Sequence, residues 1–187
     1  MNNDIDTWHR FAALLPEPDA QDVADCWQIG EQEAGLRILV SGLLTHQIPI
    51  SETVRAQLSV LAEIWGEREV LTPDLLRCPG DGRPAPVALT DRPWEPGGDH
   101  PAEPVLVPWI TCTTCGQLLL RAHLLDAGQS LSHVAEYYAI ASPDGATVLH
   151  TFPAYTDEPF DPDDPTDPAG TAFAALLNGC AEPTDSH

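Results

Sequence analysis

Apolar positions recur most clearly over residues 22–69. Val23, Cys26, Trp27, Gly30 and Ala34 fall at three- and four-residue steps, which is one face of a helix. Leu36, Leu39, Val40, Leu43 and Leu44 extend the apolar set, while Asp22, Asp25, Gln28, Glu31, Gln32 and Glu33 fall mostly on the other side. The pattern runs unbroken to Leu44 and predicts one helix. It stops at Gln47-Ile48-Pro49-Ile50, because a residue before proline is pushed out of the α region. Ser51 is then an N-cap with Glu52 in the first turn, Val54, Leu58, Leu61 and Trp65 carry the next stripe, and Gly66 is its C-cap. Two amphipathic helices on a short loop fold back as an antiparallel hairpin.

Further signals flank the hairpin. Trp8, Phe11, Ala12 and Leu15 predict a short leading helix over 7–15, ended by Pro16-Glu17-Pro18. Thr72-Pro73-Asp74 is a cap-then-proline helix start, stopped at Cys78-Pro79-Gly80. From Pro79 to Pro108 prolines and glycines erase any period, which reads as an extended, irregular connection. Strand patterns follow over 105–111, 117–125, 133–141 and 147–152, with Ser142-Pro143-Asp144-Gly145 as a turn between the last two. An antiparallel meander results. Beyond Tyr155 the chain is acidic and proline-rich until a final helix over 170–177. The expected architecture is α+β: a helical unit over 1–78, a connection over 79–104, a β unit over 105–155, and an acidic tail with a terminal helix over 156–187.

The hairpin stretch carries a family resemblance. Trp27-x-x-Gly30-Glu31-x-Glu33-x-Gly35-Leu36, an apolar helix, Ile48-Pro49-Ile50-Ser51, then Leu58-x-x-Leu61-x-x-x-Trp65-Gly66 resembles the small helical immunity proteins of bacterial contact-dependent and Maf-type polymorphic toxin systems. There a "GE" helix feeds a short "ipIs" loop and a second helix. The resemblance covers about a quarter of the chain. It implies an antitoxin whose partner is a cognate toxin.

Charge points the same way. The chain has 187 residues, 29 acidic against 8 basic, and a formal net charge of −21; every basic residue is arginine. Such a balance repels nucleic acid and anionic membrane and favours a basic protein partner, with association speeded by electrostatic steering. An acidic surface also simply keeps a protein soluble. The N-terminus lacks the basic start and apolar core of a signal peptide. No apolar run approaches the ~20 residues of a membrane helix. Five cysteines at these spacings suggest no disulfide framework. The expected compartment is the cytoplasm, with reduced thiols.

Three groups of residues offer chemistry. In Cys112-Thr113-Thr114-Cys115-Gly116, two thiolates at C-x-x-C spacing can reach one zinc ion at about 2.3 Å. Cys78 is the third candidate ligand and His100 or His123 the fourth. The same residues also read as ordinary cysteines at a strand end, or as a redox pair. In the second group, Asp22, Asp25, Glu31 and Glu33 lie near Trp27, whose ring is the better fit for a core. Carboxylates around an aromatic suit a basic partner. The third is the run containing Asp157, Glu158, Asp161, Asp163 and Asp164, which either docks on a partner's cations or is a solvated tail. No nucleophile elbow, phosphate-cradling loop or H-E-x-x-H is present. The reading is therefore not an enzyme. It is an immunity protein that neutralises a basic toxin, a nuclease by charge, by occluding its phosphate-binding cleft. The alternative is a zinc-stabilised adaptor module held by Cys112 and Cys115.

Overall fold

The computed structural model describes residues 5–90, 103–125, 130–154 and 167–179. The fold is α+β, and the chain divides into two compact units, Met1–Ala85 and Pro86–His187.

The first unit has five helices: α1 (Ile5–Ala12), α2 (Asp19–Gln28), α3 (Gln32–Thr45), α4 (Glu52–Ile64) and α5 (Arg68–Arg77). The single helix expected up to Leu44 is two. Gly30 adopts φ +82, a left-handed conformation that costs most L-residues about 1 kcal/mol or more. Gly30 N–H donates to the Trp27 carbonyl at 3.2 Å and Glu31 N–H to the Cys26 carbonyl at 2.8 Å, the paired bonds of a Schellman stop. The same pair closes α4 at Gly66, where Glu67 N–H reaches the Ala62 carbonyl at 2.7 Å. It also closes α3 at Gln47, a non-glycine residue held at φ 52. Ser51 Oγ caps α4 by accepting from Val54 N–H at 3.2 Å. Pro73 lies inside α5, which begins a turn before the proline signal suggested.

The helices gather around Trp8, Phe11, Val23, Leu36, Leu39, Leu43, Leu58, Leu61 and Leu75, all but excluded from water. Glycines let α3 approach its neighbours. A Cβ on Gly42 would stand 2.9 Å from two Leu15 methyls, and one on Gly35 would stand 3.0 Å from the Trp8 ring. Trp8 in turn packs on the half-buried Trp27 with ring centroids 5.2 Å apart.

Arg55 ties the unit's end together. Its guanidinium is buried, takes the Glu52 carboxylate at 3.0 Å, and donates to the Leu75 and Cys78 carbonyls, the latter at 3.0 Å. Those carbonyls belong to the last turn of α5 and its cap, where helical donors run out; Leu75 also accepts from Cys78 N–H at 3.3 Å. Ile50 and Gly80 form a parallel bridge beside this clamp.

In the second unit, β1 (Val87–Leu89), β2 (Val105–Cys112), β3 (Leu118–His123), β4 (Tyr137–Ala141) and β5 (Val148–Pro153) form one antiparallel sheet in sequential order. β1 lies within the stretch expected to be irregular. The β2–β3 register shifts between Pro108 and Ile110, so the proline sits beside a bulge, where its missing N–H is tolerated. All six β3 residues are buried, so both faces of the sheet's central strand are covered and its sequence does not alternate. Leu118 and Leu120 pair with Ala141 and Ala139 on one face. Leu119, Arg121 and His123 point to the other. The Ser142–Gly145 turn forms as expected, with Gly145 N–H on the Ser142 carbonyl at 2.8 Å. Helix α6 (Pro168–Gly179) packs on β3, β4 and β5. Asp167, the end of the acidic run, precedes Pro168, and its carbonyl accepts from Thr171 N–H at 2.8 Å. Among the described residues, no helix is long and apolar enough to cross a membrane.

Replacing Arg55 with alanine would take a donor from each of two carbonyls and the cation from Glu52. We expect Arg55→Ala to lower unfolding free energy by about 3 kcal/mol. Arg55→Lys should recover only part of this, because an ammonium lacks the fork that spans both carbonyls. Urea denaturation of the three proteins checks it.

Candidate functional site

Four of the expected partner-binding carboxylates lie on described residues. Asp22, Asp25, Glu31 and Glu33 are all exposed, on α2, the α2–α3 turn and the first turn of α3. They do not form one group. The thiol of half-buried Cys26 is pushed up, first by desolvation and then by the charges of Asp22, Glu31 and Asp25, so these three converge on one spot. The charge of Glu33 acts on Arg37. Between Arg10 and Arg37 the chain carries Glu17, Asp19, Asp22, Asp25, Glu31 and Glu33 with no basic side chain.

Ile29 stands at the same turn and was not among the sequence candidates. It is 72% exposed, the highest value among the exposed large hydrophobics. Its position next to Gly30, whose stop turns the chain away from the core, is the signal that could have identified it. Below the turn, Trp27 is half-buried on the core. Ile29 is thus an exposed apolar side chain in a stretch whose carboxylates Asp22, Asp25 and Glu31 act on nearby Cys26. Asp157, Glu158, Asp161, Asp163 and Asp164 lie outside the described residues.

Cys115 is disulfide-bonded, so its sulfur is not a thiolate ligand, and the expectation of wholly reduced thiols is corrected with it. Cys26, Cys78 and Cys112 are thiols. Burial pushes the Cys78 thiol up, which favours the protonated form. His123 pairs with Val105 at the far end of the β2–β3 ladder from Cys112, roughly 20 Å away at ~3.3 Å per residue. Its Nδ1 donates to the Ser132 carbonyl at 2.8 Å. His100 lies outside the described residues. Among the described residues, no three His, Cys, Asp or Glu side chains gather to hold a metal.

A second concave feature is a hollow of about 420 Å³ lined by Asp19, Arg37, Ile38, Ser41, Gly42 and Thr45. Its charged groups are satisfied internally. Asp19 meets His46 at 2.8 Å, and Arg37 forks onto Glu67 at 2.6 and 2.7 Å. Arg121 and His123 are buried side by side on the sheet, Arg121 with its guanidinium 5.9 Å from the Trp109 ring; they build the interior of the second unit. No protein-family model, curated protein or solved structure matches the chain.

The Arg37 hydrogen bonds hold the Glu67 carboxyl below its ordinary value. As pH falls, the unfolded chain therefore takes up this proton first, so the pair stabilises the fold fully above the ordinary carboxylate range and ceases to do so as pH drops through the depressed folded value. Glu67→Gln should lower Tm at neutral pH, and the gap from the parent should close below about pH 4. Thermal melts over a pH series read it.

Proposed function

We propose that the protein is an immunity protein that binds and neutralises a cognate basic toxin, a nuclease, through the α2–α3 turn. The observation that carries this reading is the convergence of Asp22, Asp25 and Glu31 on one spot beside exposed Ile29, in a stretch with no cation of its own. The resemblance of residues 22–69 to toxin-system immunity proteins and the net charge of −21 support it. Mechanism follows from electrostatics. A nuclease groove is built to hold polyphosphate, so a fixed array of carboxylates competes for the same cations and excludes the nucleic acid. Ile29 gives the contact an apolar centre, as interface hot spots require, while the carboxylates form its rim. Binding and occlusion suffice, and no catalysis is assigned to the protein. It acts where the toxin would reach nucleic acid, in the cytoplasm.

The test is capture with the full chain as bait, followed by nuclease assay of whatever is retained. A basic protein whose nuclease activity the chain suppresses is the expected result; retention of no such protein sinks the reading. With the partner in hand, Asp25→Lys/Glu31→Lys should slow association at least tenfold at low salt, with the difference shrinking as salt rises. Ile29→Asp should weaken binding tenfold or more without lowering Tm.

A further inference from the structure

The sheet of the second unit ends differently on its two sides. β1 is three residues long, short enough to blunt its edge, whereas β5 at the other side has six. Its side chains are exposed except for half-buried Phe152, and Val148 and Leu149 are 41% and 43% exposed. Among the described residues, no strand lies beyond β5. The β4–β5 register shifts between Ile140 and Ala141, which makes Leu149 the extra residue of a bulge, and Pro153 ends the strand. Just past it, Ala154 N–H turns inward to the Glu136 carbonyl at 3.1 Å. Backbone groups alternate sides along a strand, so Phe152 and His150 face β4, and Thr151 presents its N–H and carbonyl to the open side. Charge marks the same region. β4, β5 and α6 pack together and contain no Asp, Glu, Lys or Arg, in a chain where these make up 20% of residues.

We propose that β5 is a homodimer edge, pairing antiparallel with β5 of a second copy about a two-fold axis at Thr151. An open strand edge selects another extended strand, because its unpaired N–H and C=O groups set the spacing of the occupant. Charge then selects the copy. Two chains of formal charge −21 repel over most of their surfaces and approach most easily where neither carries a carboxylate. A basic partner gains its electrostatic attraction from the acidic surface elsewhere and none at this edge. The register follows from the regular stretch between the bulge and Pro153. Thr151 opposite Thr151 of the second copy exchanges both backbone hydrogen bonds and sets His150 opposite Phe152 of the second copy, twice over. Threonine pairs and aromatic pairs across strands are favourable, and no like charges face one another. The bulge and the proline stop the pairing at either end, so the joined edge is short and the dimer forms at high concentration.

Sedimentation velocity of the full chain, from roughly 1 μM to 1 mM, reads the association. The mass should rise from the 20.2 kDa of one chain toward twice that value. Raising salt from about 0.05 to 0.5 M should lower the midpoint concentration at least threefold, because salt screens the repulsion between two polyanions and leaves backbone pairing in place. An interface held by ion pairs responds in the opposite direction. Thr151→Pro removes the outward N–H and spares the β4 ladder, and proline is tolerated on that side of an edge. It should raise the midpoint at least tenfold, with circular dichroism and Tm as in the parent. Thr151→Glu keeps the backbone donor, sets two carboxylates opposite each other at the axis, and should weaken the dimer at least as much at low salt. In the parent, hydrogen exchange of the Thr151 amide should slow as concentration rises. A parent that stays at 20.2 kDa throughout overturns the proposal. So does a dimer that folded Thr151→Pro or Thr151→Glu forms at the parental midpoint.

Discussion

A shortage of cations governs how the helical unit is built. With 8 basic residues for 29 acidic ones, each arginine from α3 to α5 is held by a carboxylate of the same unit. Arg37 grips Glu67, whose side chain is only 10% exposed, and Arg55 grips Glu52 and two carbonyls. Arg68 lies against Glu63 and Glu69, and Arg77 against Asp74. Exposed ion pairs such as Arg77–Asp74 contribute little to stability, but Glu67, Glu63 and the carbonyls held by Arg55 are reached poorly by water, and there a missing partner is costly. These four arginines are paired within α3–α5, while on α2 Asp19 meets His46 at 2.8 Å. The electronegative patch follows from where the few cations are needed.

Helix ends are the second constraint. Three Schellman closures, at Gly30, Gln47 and Gly66, divide the unit into short helices. The last was legible, because Gly66 follows the final apolar position of its stripe. The first was not. Gly30 falls in step with Val23, Cys26 and Trp27, so the apolar period runs straight through the break. Periodicity reports which residues face inward and says nothing about backbone sign, and only the left-handed φ at Gly30 separates α2 from α3. Exposed Ile29 was hidden with it, because in an unbroken helix that residue has no special position.

The β unit was legible where strands are long and turns carry their own chemistry, as at Pro143-Asp144-Gly145. β1 was hidden because three residues among prolines and glycines carry no period, and its place depends on pairing with β2. Burial of β3 on both faces removes the alternation that marks a half-exposed strand. The cysteine turn shows a different limit. C-x-x-C spacing fixes the reach between its own two sulfurs, but which sulfur bonds to what depends on residues brought in from elsewhere in the sequence. His123 was rejected as a ligand by strand register alone, a quantity absent from any one-dimensional pattern.

Rigidity connects the fold to the proposed binding surface. The patch sits on two helices that approach closely at Gly35, where an added Cβ would stand 3.1 Å from Cys26 Cβ and 3.0 Å from the Trp8 ring, while Gly42 makes room for Leu15. Trp27, directly below Ile29 and Glu31 in sequence, is pinned by the Trp8 ring. A partner that met a loose acidic segment would have to order it, at a cost of about 1–2 kcal/mol for each backbone residue fixed. The α2–α3 turn is ordered beforehand by its own helix stop, so more of the electrostatic attraction appears as affinity. The same glycines that make α3 fit its core therefore also make the acidic turn a competent surface, and enlarging either one should disturb both.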